Sequence, residues 1–190
     1  MRMMRAMTDA HNSERERTSV PVPAHGSMPD DPELDRHVVE GQIGRSPRAM
    51  VSVGTRCVYG FPAVTRQAPT DDQGKPFPTA FYLTCPHLVK QIDRLESVGG
   101  VRRYEAALAE EPELMAATEQ SHARHRAMDD RGANIAASRV TEHVKCLHAH
   151  AAFELAAGEH PLGKRVLAEA APRWCDDARC VSLADAPRSE

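Results

Sequence analysis

The sequence predicts an α+β fold, with a small antiparallel sheet of about three strands followed by about five helices. Short segments rich in β-branched and aromatic residues, separated by Gly and Pro turns, lie between positions 49 and 84. Apolar residues at helical spacing follow from Pro86 onward. The chain has no internal repeat and no alternation of strands with helices, so a parallel sheet is not expected.

Three strands are predicted in the first half of the chain. Apolar residues in 49–56 indicate the first strand. The segment Tyr59-Gly60-Phe61-Pro62 is typical of a turn, because Gly and Pro supply the backbone angles that a chain reversal needs. Residues 63–67 form the return strand. Residues 79–84, rich in β-branched and aromatic residues, form the third strand.

The helices are bounded by prolines and glycines. Pro86 begins the first, because its missing N–H is not needed in the first turn, and Gly99-Gly100 ends it. Residues 101–110 and 112–128 form the next two, and residues 163–171 form the last. The longest predicted helix spans 139–157 and ends at Gly158. Its apolar stripe consists of Val140, Val144, Leu147, Ala151 and Leu155.

The length of 190 residues suits one domain with tails. Residues 1–43 are predicted as a disordered tail, because this largely polar segment buries too little apolar surface to offset its ordering entropy. Residues 44–172 are predicted as a single α+β domain. Residues 173–190 are predicted as a loose C-terminal tail.

Composition excludes several classes of function. The formal net charge is -3 with both signs spread along the chain, so no basic surface for nucleic acid is expected. No run of about 18 apolar residues exists, so no membrane span is predicted. The five cysteines are not spaced like a disulfide framework, which favours a reducing, cytoplasmic location.

Three cysteines carry the metal-site hypothesis. Cys57 precedes a turn, Cys85 ends a strand and Cys146 lies in the predicted long helix. Thiolates favour zinc or an iron–sulfur cluster. On a helical wheel, His150 and His143 lie on the same side as Cys146, whereas His148 lies on the opposite flank. The candidate metal ligands are therefore Cys57, Cys85, Cys146 and His150. Buried free thiols are the open alternative.

Other polar residues suggest weaker candidates. Arg48, Lys145 and His148 could bind a phosphate or carboxylate, although a solvated helix face is the alternative. His122 and His125 are expected at the surface or at a helix cap. The spacing of Cys175 and Cys180 is too long for a zinc-knuckle pair.

Several local motifs resemble a known family. They are Gly44-Arg45-Ser46-Pro47-Arg48, Gly60-Phe61-Pro62-Ala63-Val64, Phe81-Tyr82-Leu83-Thr84-Cys85-Pro86, Val144-Lys145-Cys146-Leu147-His148 and Pro161-Leu162-Gly163. With these motifs, residues 44 to 170 resemble the actinobacterial proteins known as domain of unknown function 501. The resemblance implies no specific activity. The genes that accompany the family imply a cytoplasmic role and a protein partner in division or phosphate metabolism.

Three classes of function are expected. The first is a non-enzymatic domain that binds a partner protein. The second is a zinc or iron–sulfur protein using Cys57, Cys85 and Cys146. The third is a small-molecule enzyme using the face that carries Lys145 and His148. No nucleophile with a base and an orienting group is recognisable in the sequence, which disfavours the third class.

Overall fold

The structure of the protein, a computed structural model, describes residues 31–187. Its sheet has three antiparallel strands in the order β1-β2-β3. They are β1 (Met50–Arg56), β2 (Pro62–Gln67) and β3 (Phe81–Leu83). The predicted α+β class and the three strands are therefore confirmed.

Seven helices accompany the sheet in the described part of the chain. They are α1 (Pro32–Ile43), α2 (Pro86–Ser97), α3 (Gly100–Glu110), α4 (Pro112–Met128), α5 (Leu147–Ala157), α6 (Pro161–Glu169) and the single turn α7 (Val181–Ala184). Pro lies in the first turn of α1, α2, α4 and α6, where its missing N–H costs nothing. None of these helices has the length and apolar character that a membrane crossing requires.

The helix α5 lies at the centre of the domain. It packs against β3 on one side and α6 on another. Its residues Leu147, Ala151 and Phe153 are fully buried, as are Val64 of β2 and Leu88 of α2. The β2 and β3 strands thus complete one core with α2, α5 and α6.

The predicted start of the ordered domain at residue 44 is too late, because helix α1 precedes it. Asp31 caps this helix, since its Oδ1 accepts hydrogen bonds from the N–H groups of Glu33 and Leu34. Val38 and Val39 are 1% exposed, so α1 is part of the packed domain. The remainder of the predicted tail, residues 1–30, lies outside the described residues.

The predicted helix over 139–157 is wrong in its first half. Helix α5 begins only at Leu147, and Val140 is 43% exposed rather than part of the core. Lys145 has a positive φ of 59°, which interrupts helical geometry. The N–H groups of Val144 and Leu147 donate instead to the carboxylates of Glu105 and Glu96.

Candidate functional site

The segment before α5 brings Cys146, His148 and Glu96 together. The Sγ atom of Cys146 lies 3.8 Å from Nδ1 of His148, and the same Nδ1 lies 3.3 Å from Oε1 of Glu96. Ligand atoms from all three residues lie within 4.8 Å of one another. Among residues 31–187, no other three His, Cys, Asp or Glu residues meet this criterion.

Local backbone geometry explains this arrangement. Cys146 is the N-cap of α5 in extended geometry, so its side chain is directed differently from that of a helical residue. His148 lies in the first turn, two residues later. This corrects the wheel-based expectation that His148 lies across from Cys146, because residues 139–146 are not helical. Glu96 approaches from the last turn of α2 and accepts the N–H of Leu147 at 2.6 Å.

The second ring nitrogen of His148, Nε2, also has hydrogen-bond partners. Its Nε2 lies 3.2 Å from the carbonyl oxygen of Val89 and 3.3 Å from Oδ1 of Asp93. Because both partners are acceptors, Nε2 carries a proton and donates it. In the neutral ring, Nδ1 is then the lone-pair nitrogen, and it faces Cys146 and Glu96.

Burial lowers the pKa of His148, but its neighbours outweigh that effect. The contacts with Cys146, the carboxylate of Glu96 and the carbonyl of Val89 together raise the pKa of His148 to about 9. The site therefore strongly favours positive charge at its centre, whether that charge is a proton or a cation.

A cavity of about 380 Å³ adjoins this site, which is within the size range of small-molecule pockets. Cys146, His148 and Asp93 line one side of it. The remaining lining residues are mostly apolar: Pro78, Thr79, Phe81, Tyr82, Leu83, Val89, Ala136 and Ala149.

Cys57 and Cys85 lie in a different part of the fold. They line a second, much smaller cavity of about 10 Å³ together with Cys175 and Cys180. Cys146 is not among the residues that line it. The structure therefore divides the predicted ligand set of Cys57, Cys85, Cys146 and His150. The C-terminal cysteines, set aside because of their spacing, join Cys57 and Cys85 through the tertiary fold.

The comparisons with known proteins agree with the sequence motifs. The family model described as "Protein of unknown function (DUF501)" matches residues 53–133 and 129–168, which is more than half of the 190 residues. The chain belongs to the DUF501 family. No curated protein and no solved structure matches it. Glu96, Cys146 and His148 lie inside the DUF501 match, whereas Cys175 and Cys180 lie beyond it.

The DUF501 fold also buries four histidines that the sequence did not indicate as a group. Each is at most 1% exposed: His122, His125, His150 and His160. His125 and His160 pack against the ring of Phe153, and His150 packs against His122 and His160. The expectation that His122 and His125 are surface residues is wrong, because the α4 face that carries them packs into the core.

Hydrogen bonds leave His150 unable to serve as the predicted metal ligand in this arrangement. Its Nε2 lies 3.1 Å from the carbonyl oxygen of Val144, and its Nδ1 lies 2.8 Å from Nε2 of His160. Both nitrogens are therefore in use. Burial lowers the pKa of His150 to about 3 and that of His160 to about 2, so both rings are neutral.

The three predicted anion-binding residues have other neighbours in the DUF501 structure. Arg48 lies 4.0 Å from the carboxylate of Asp72, and Lys145 donates to the carbonyl of Ala137. His148 lies between two carboxylates, which disfavour an anion there. An anion site at these residues stays a prediction.

Proposed function

We propose that this protein is a zinc protein whose ion binds to Glu96, Cys146 and His148 and keeps one coordination position open. The observation that carries the proposal is the approach of Oε1, Sγ and Nδ1 to within 4.8 Å of one another. Carboxylate, thiolate and imidazole are all zinc ligands, and three protein ligands with one open position are typical of catalytic zinc.

Two of the three ligand separations fit a single ion closely. With zinc–ligand lengths near 2.3 Å for sulfur and 2.1 Å for nitrogen or oxygen, a tetrahedral site places sulfur and nitrogen about 3.6 Å apart and nitrogen and oxygen about 3.4 Å apart. The corresponding separations are 3.8 Å between Cys146 and His148 and 3.3 Å between His148 and Glu96. The ligand atoms of Cys146 and Glu96 lie within 4.8 Å of each other.

The surroundings of His148 also support zinc. Zinc-bound histidines usually donate their other ring N–H to a carboxylate or a backbone carbonyl, which fixes the ring and its tautomer. His148 meets this condition with both the carboxylate of Asp93 and the carbonyl of Val89.

The open position is proposed to face the 380 Å³ cavity, since Cys146 and His148 both line it. A zinc-bound water there would be acidic enough to supply hydroxide near neutral pH. The apolar lining selects a small molecule with an apolar body. We therefore place the protein among zinc-dependent enzymes that hydrolyse or hydrate such a molecule, a form of the small-molecule enzyme alternative.

The test is metal content and affinity. The full chain is purified without oxygen, stripped with a chelator and titrated with zinc against a chromophoric competitor. Cys146→Ser and His148→Ala are expected to abolish binding at this site. Asp93→Asn is expected to weaken it by roughly 10–100-fold, because only the orientation of His148 is affected.

His143→Ala is the matched control. His143 is exposed, lies three residues from Cys146 and contacts none of the proposed ligands, so its loss leaves zinc binding unchanged. Equal zinc affinity in the wild type and Cys146→Ser would refute the proposal. Fast alkylation of Cys146 in protein that binds no zinc would instead identify a thiolate–imidazolium pair with His148.

A partner-binding role is the second candidate, and the outer edge of strand β1 favours it. Within residues 31–187, β1 pairs only with β2, and a groove of about 580 Å³ runs along it beside α1. An extended segment of a partner protein could add a strand there. Val51→Lys would then weaken capture of that partner. Val98→Lys would not, since Val98 is also strongly exposed but lies at the C-cap of α2, outside β1. Equal capture by both variants counts against this candidate.

The proposed setting is the cytoplasm, as the family resemblance implies for actinobacterial members. All five cysteines are free, and a reducing compartment keeps thiols available as ligands. A link to division or phosphate metabolism remains part of the partner-binding candidate. Co-purification of a tagged chain from its native host, compared with the Val51→Lys variant, tests it.

A further inference from the structure

Four cysteines from separate parts of the chain line one small cavity. Cys57 follows β1 and Cys85 precedes α2, so both belong to the main domain. Cys175 and Cys180 lie in the C-terminal segment, residues 172–187, which ends the described chain. Apolar side chains form most of the remaining wall, including Phe61, Pro62 and Trp174.

The size of the cavity limits its occupant. A volume of about 10 Å³ admits one water-sized sphere, so neither an organic molecule nor an iron–sulfur cluster fits. A water molecule needs two to four polar partners, and this wall offers few. A single soft cation bound by thiolates satisfies both the size and the chemistry, and tetrahedral sulfur coordination is typical of zinc.

We propose that Cys57, Cys85, Cys175 and Cys180 bind one zinc ion, which fastens the C-terminal segment to the domain. This site is separate from the one proposed at Cys146. Each thiol that binds zinc releases its proton to solvent, so four bound thiolates leave the complex with a net charge of minus two. Arg179 lines the same cavity, where it forms an ion pair with Asp177 at 3.0 Å.

Burial and the neighbouring thiols both affect the pKa values of these cysteines. Burial, together with the neighbouring Cys85, Cys57 and Cys175, raises the pKa of Cys180 to about 11 against the lowering effect of the Gln42 hydrogen bond. Burial likewise raises the pKa of Cys85. Gln42 donates from Nε2 to Sγ of Cys180 at 3.4 Å, the kind of N–H···S contact that supports a metal-bound thiolate.

Closure of the site requires movement, because no three of these sulfurs lie within 4.8 Å of one another in the described chain. The loop that carries Cys175 is the part suited to such movement, because no strand pairing holds it in the described chain. Tyr59 Oη donates to the Cys175 carbonyl at 2.9 Å, and His87 Nε2 lies 2.7 Å from the Pro172 carbonyl oxygen. Cys180 is held more firmly, since it packs in an apolar cluster with Val38 and Phe61 where α7 meets α1.

The test compares zinc stoichiometry in three forms of the full chain. The reduced, metal-free wild type, Cys146→Ser and the double variant Cys175→Ser/Cys180→Ser are titrated with zinc without oxygen. The wild type is expected to bind two ions and each variant one. A double variant that binds as much zinc as the wild type overturns this proposal. A Cys146→Ser chain that does so overturns only the site at Glu96, Cys146 and His148.

A second measurement uses the wild type alone and so does not depend on the folding of a variant. N-ethylmaleimide labels the reduced protein with and without zinc, and mass spectrometry identifies the labelled cysteines. Zinc is expected to slow labelling of all four and to slow proteolysis of the C-terminal segment. Unchanged labelling overturns the proposal, as does a disulfide among these cysteines in protein purified without oxygen.

Discussion

The imidazole of His150 stacks on that of His160, and a hydrogen bond of 2.8 Å joins Nδ1 of His150 to Nε2 of His160. His150 donates from Nε2 to the carbonyl of Val144, so its Nδ1 accepts and His160 is the donor. Nδ1 of His160 then holds a lone pair with no protein partner among residues 31–187. The carboxylate of Glu154 accepts from the backbone N–H of His160 at 2.6 Å rather than from its ring.

The buried histidines are expected to make stability depend on pH. Burial lowers the pKa of His122 to about 4, that of His160 to about 2, and that of His125 by less, from an ordinary value of 6.5. Below pH 6.5, the unfolded chain therefore binds protons on these histidines that the folded chain does not bind. Their stabilising contribution is fully present above pH 6.5. It is lost as pH falls, toward 4 for His122 and toward 2 for His160, at up to about 1.4 kcal/mol per pH unit for each of these two.

Urea unfolding between pH 7.5 and about 5 measures this slope, in a range where most carboxylates are still ionised. His160→Asn is expected to show a shallower slope whatever its stability at pH 7.5. Asn is a favourable N-cap for α6. The exposed His143→Gln is the control and keeps the wild-type slope. His148 has a raised pKa, so its contribution stays complete below pH 6.5 and is lost only as pH rises through about 9. A free energy of unfolding that stays constant between pH 7 and 5 contradicts the prediction.

Asp35→Ala is expected to destabilise the protein by about 3 kcal/mol. Both carboxylate oxygens of Asp35 accept from the guanidinium of Arg56, at 2.6 and 2.7 Å, and the pair links α1 to β1. The side chains are only 10% and 21% exposed, so removal of one leaves a charge with little solvent. Glu111→Ala is the matched control, because Glu111 makes the same two-bond contact with Arg165 at the surface. A smaller loss is expected for it. Equal midpoint shifts in urea would argue against burial as the cause.

Turn residues made most of the fold predictable. The four prolines in first turns and the glycines at 99 and 158 determine local backbone geometry, and the observed helix boundaries lie near them. The same helix-boundary residues, Asp31-Pro32 and Gly44, flank α1. This helix was not predicted, because its segment has few large apolar residues. The loop before α5 was not predictable, since distant carboxylates, those of Glu96 and Glu105, satisfy its N–H groups.

The candidate site was predictable only in part. Cys146 and His148 were recognised, but their relative positions depend on the backbone of Lys145, whose positive φ no local signal required. Glu96 lies 50 residues from Cys146 in the sequence, and only tertiary packing brings α2 against the start of α5. Likewise, Cys175 joins Cys85 through the return of the C-terminal segment.

Leu147→Ala is expected to cost roughly 2–5 kcal/mol of unfolding free energy, because Leu147 is fully buried at the start of α5. Val140→Ala tests the corrected helix boundary. Val140 belongs to the predicted stripe but is 43% exposed in a loop, so its truncation is expected to have little effect. Chemical denaturation of both variants separates the alternatives. Similar losses of unfolding free energy in the two variants would favour the predicted helix over 139–157.

Gly163→Ala is expected to destabilise the packing of α5 on α6, by roughly 1–3 kcal/mol. A methyl group at position 163 would lie 2.6 Å from the carbonyl oxygen of His150 and 2.8 Å from the ring of His160. The first of these neighbours is a backbone carbonyl oxygen, which cannot rotate away as a side chain can. Helices α5 and α6 must therefore move apart. Gly54→Ala is the control, because a methyl group there meets its nearest atom at 3.5 Å, an ordinary contact. The urea midpoint of Gly163→Ala should therefore fall well below that of Gly54→Ala. Its near-ultraviolet spectrum should change through Phe153, which packs beside His160. A Gly163→Ala chain as stable as the wild type would mean that α5 and α6 do not approach this closely.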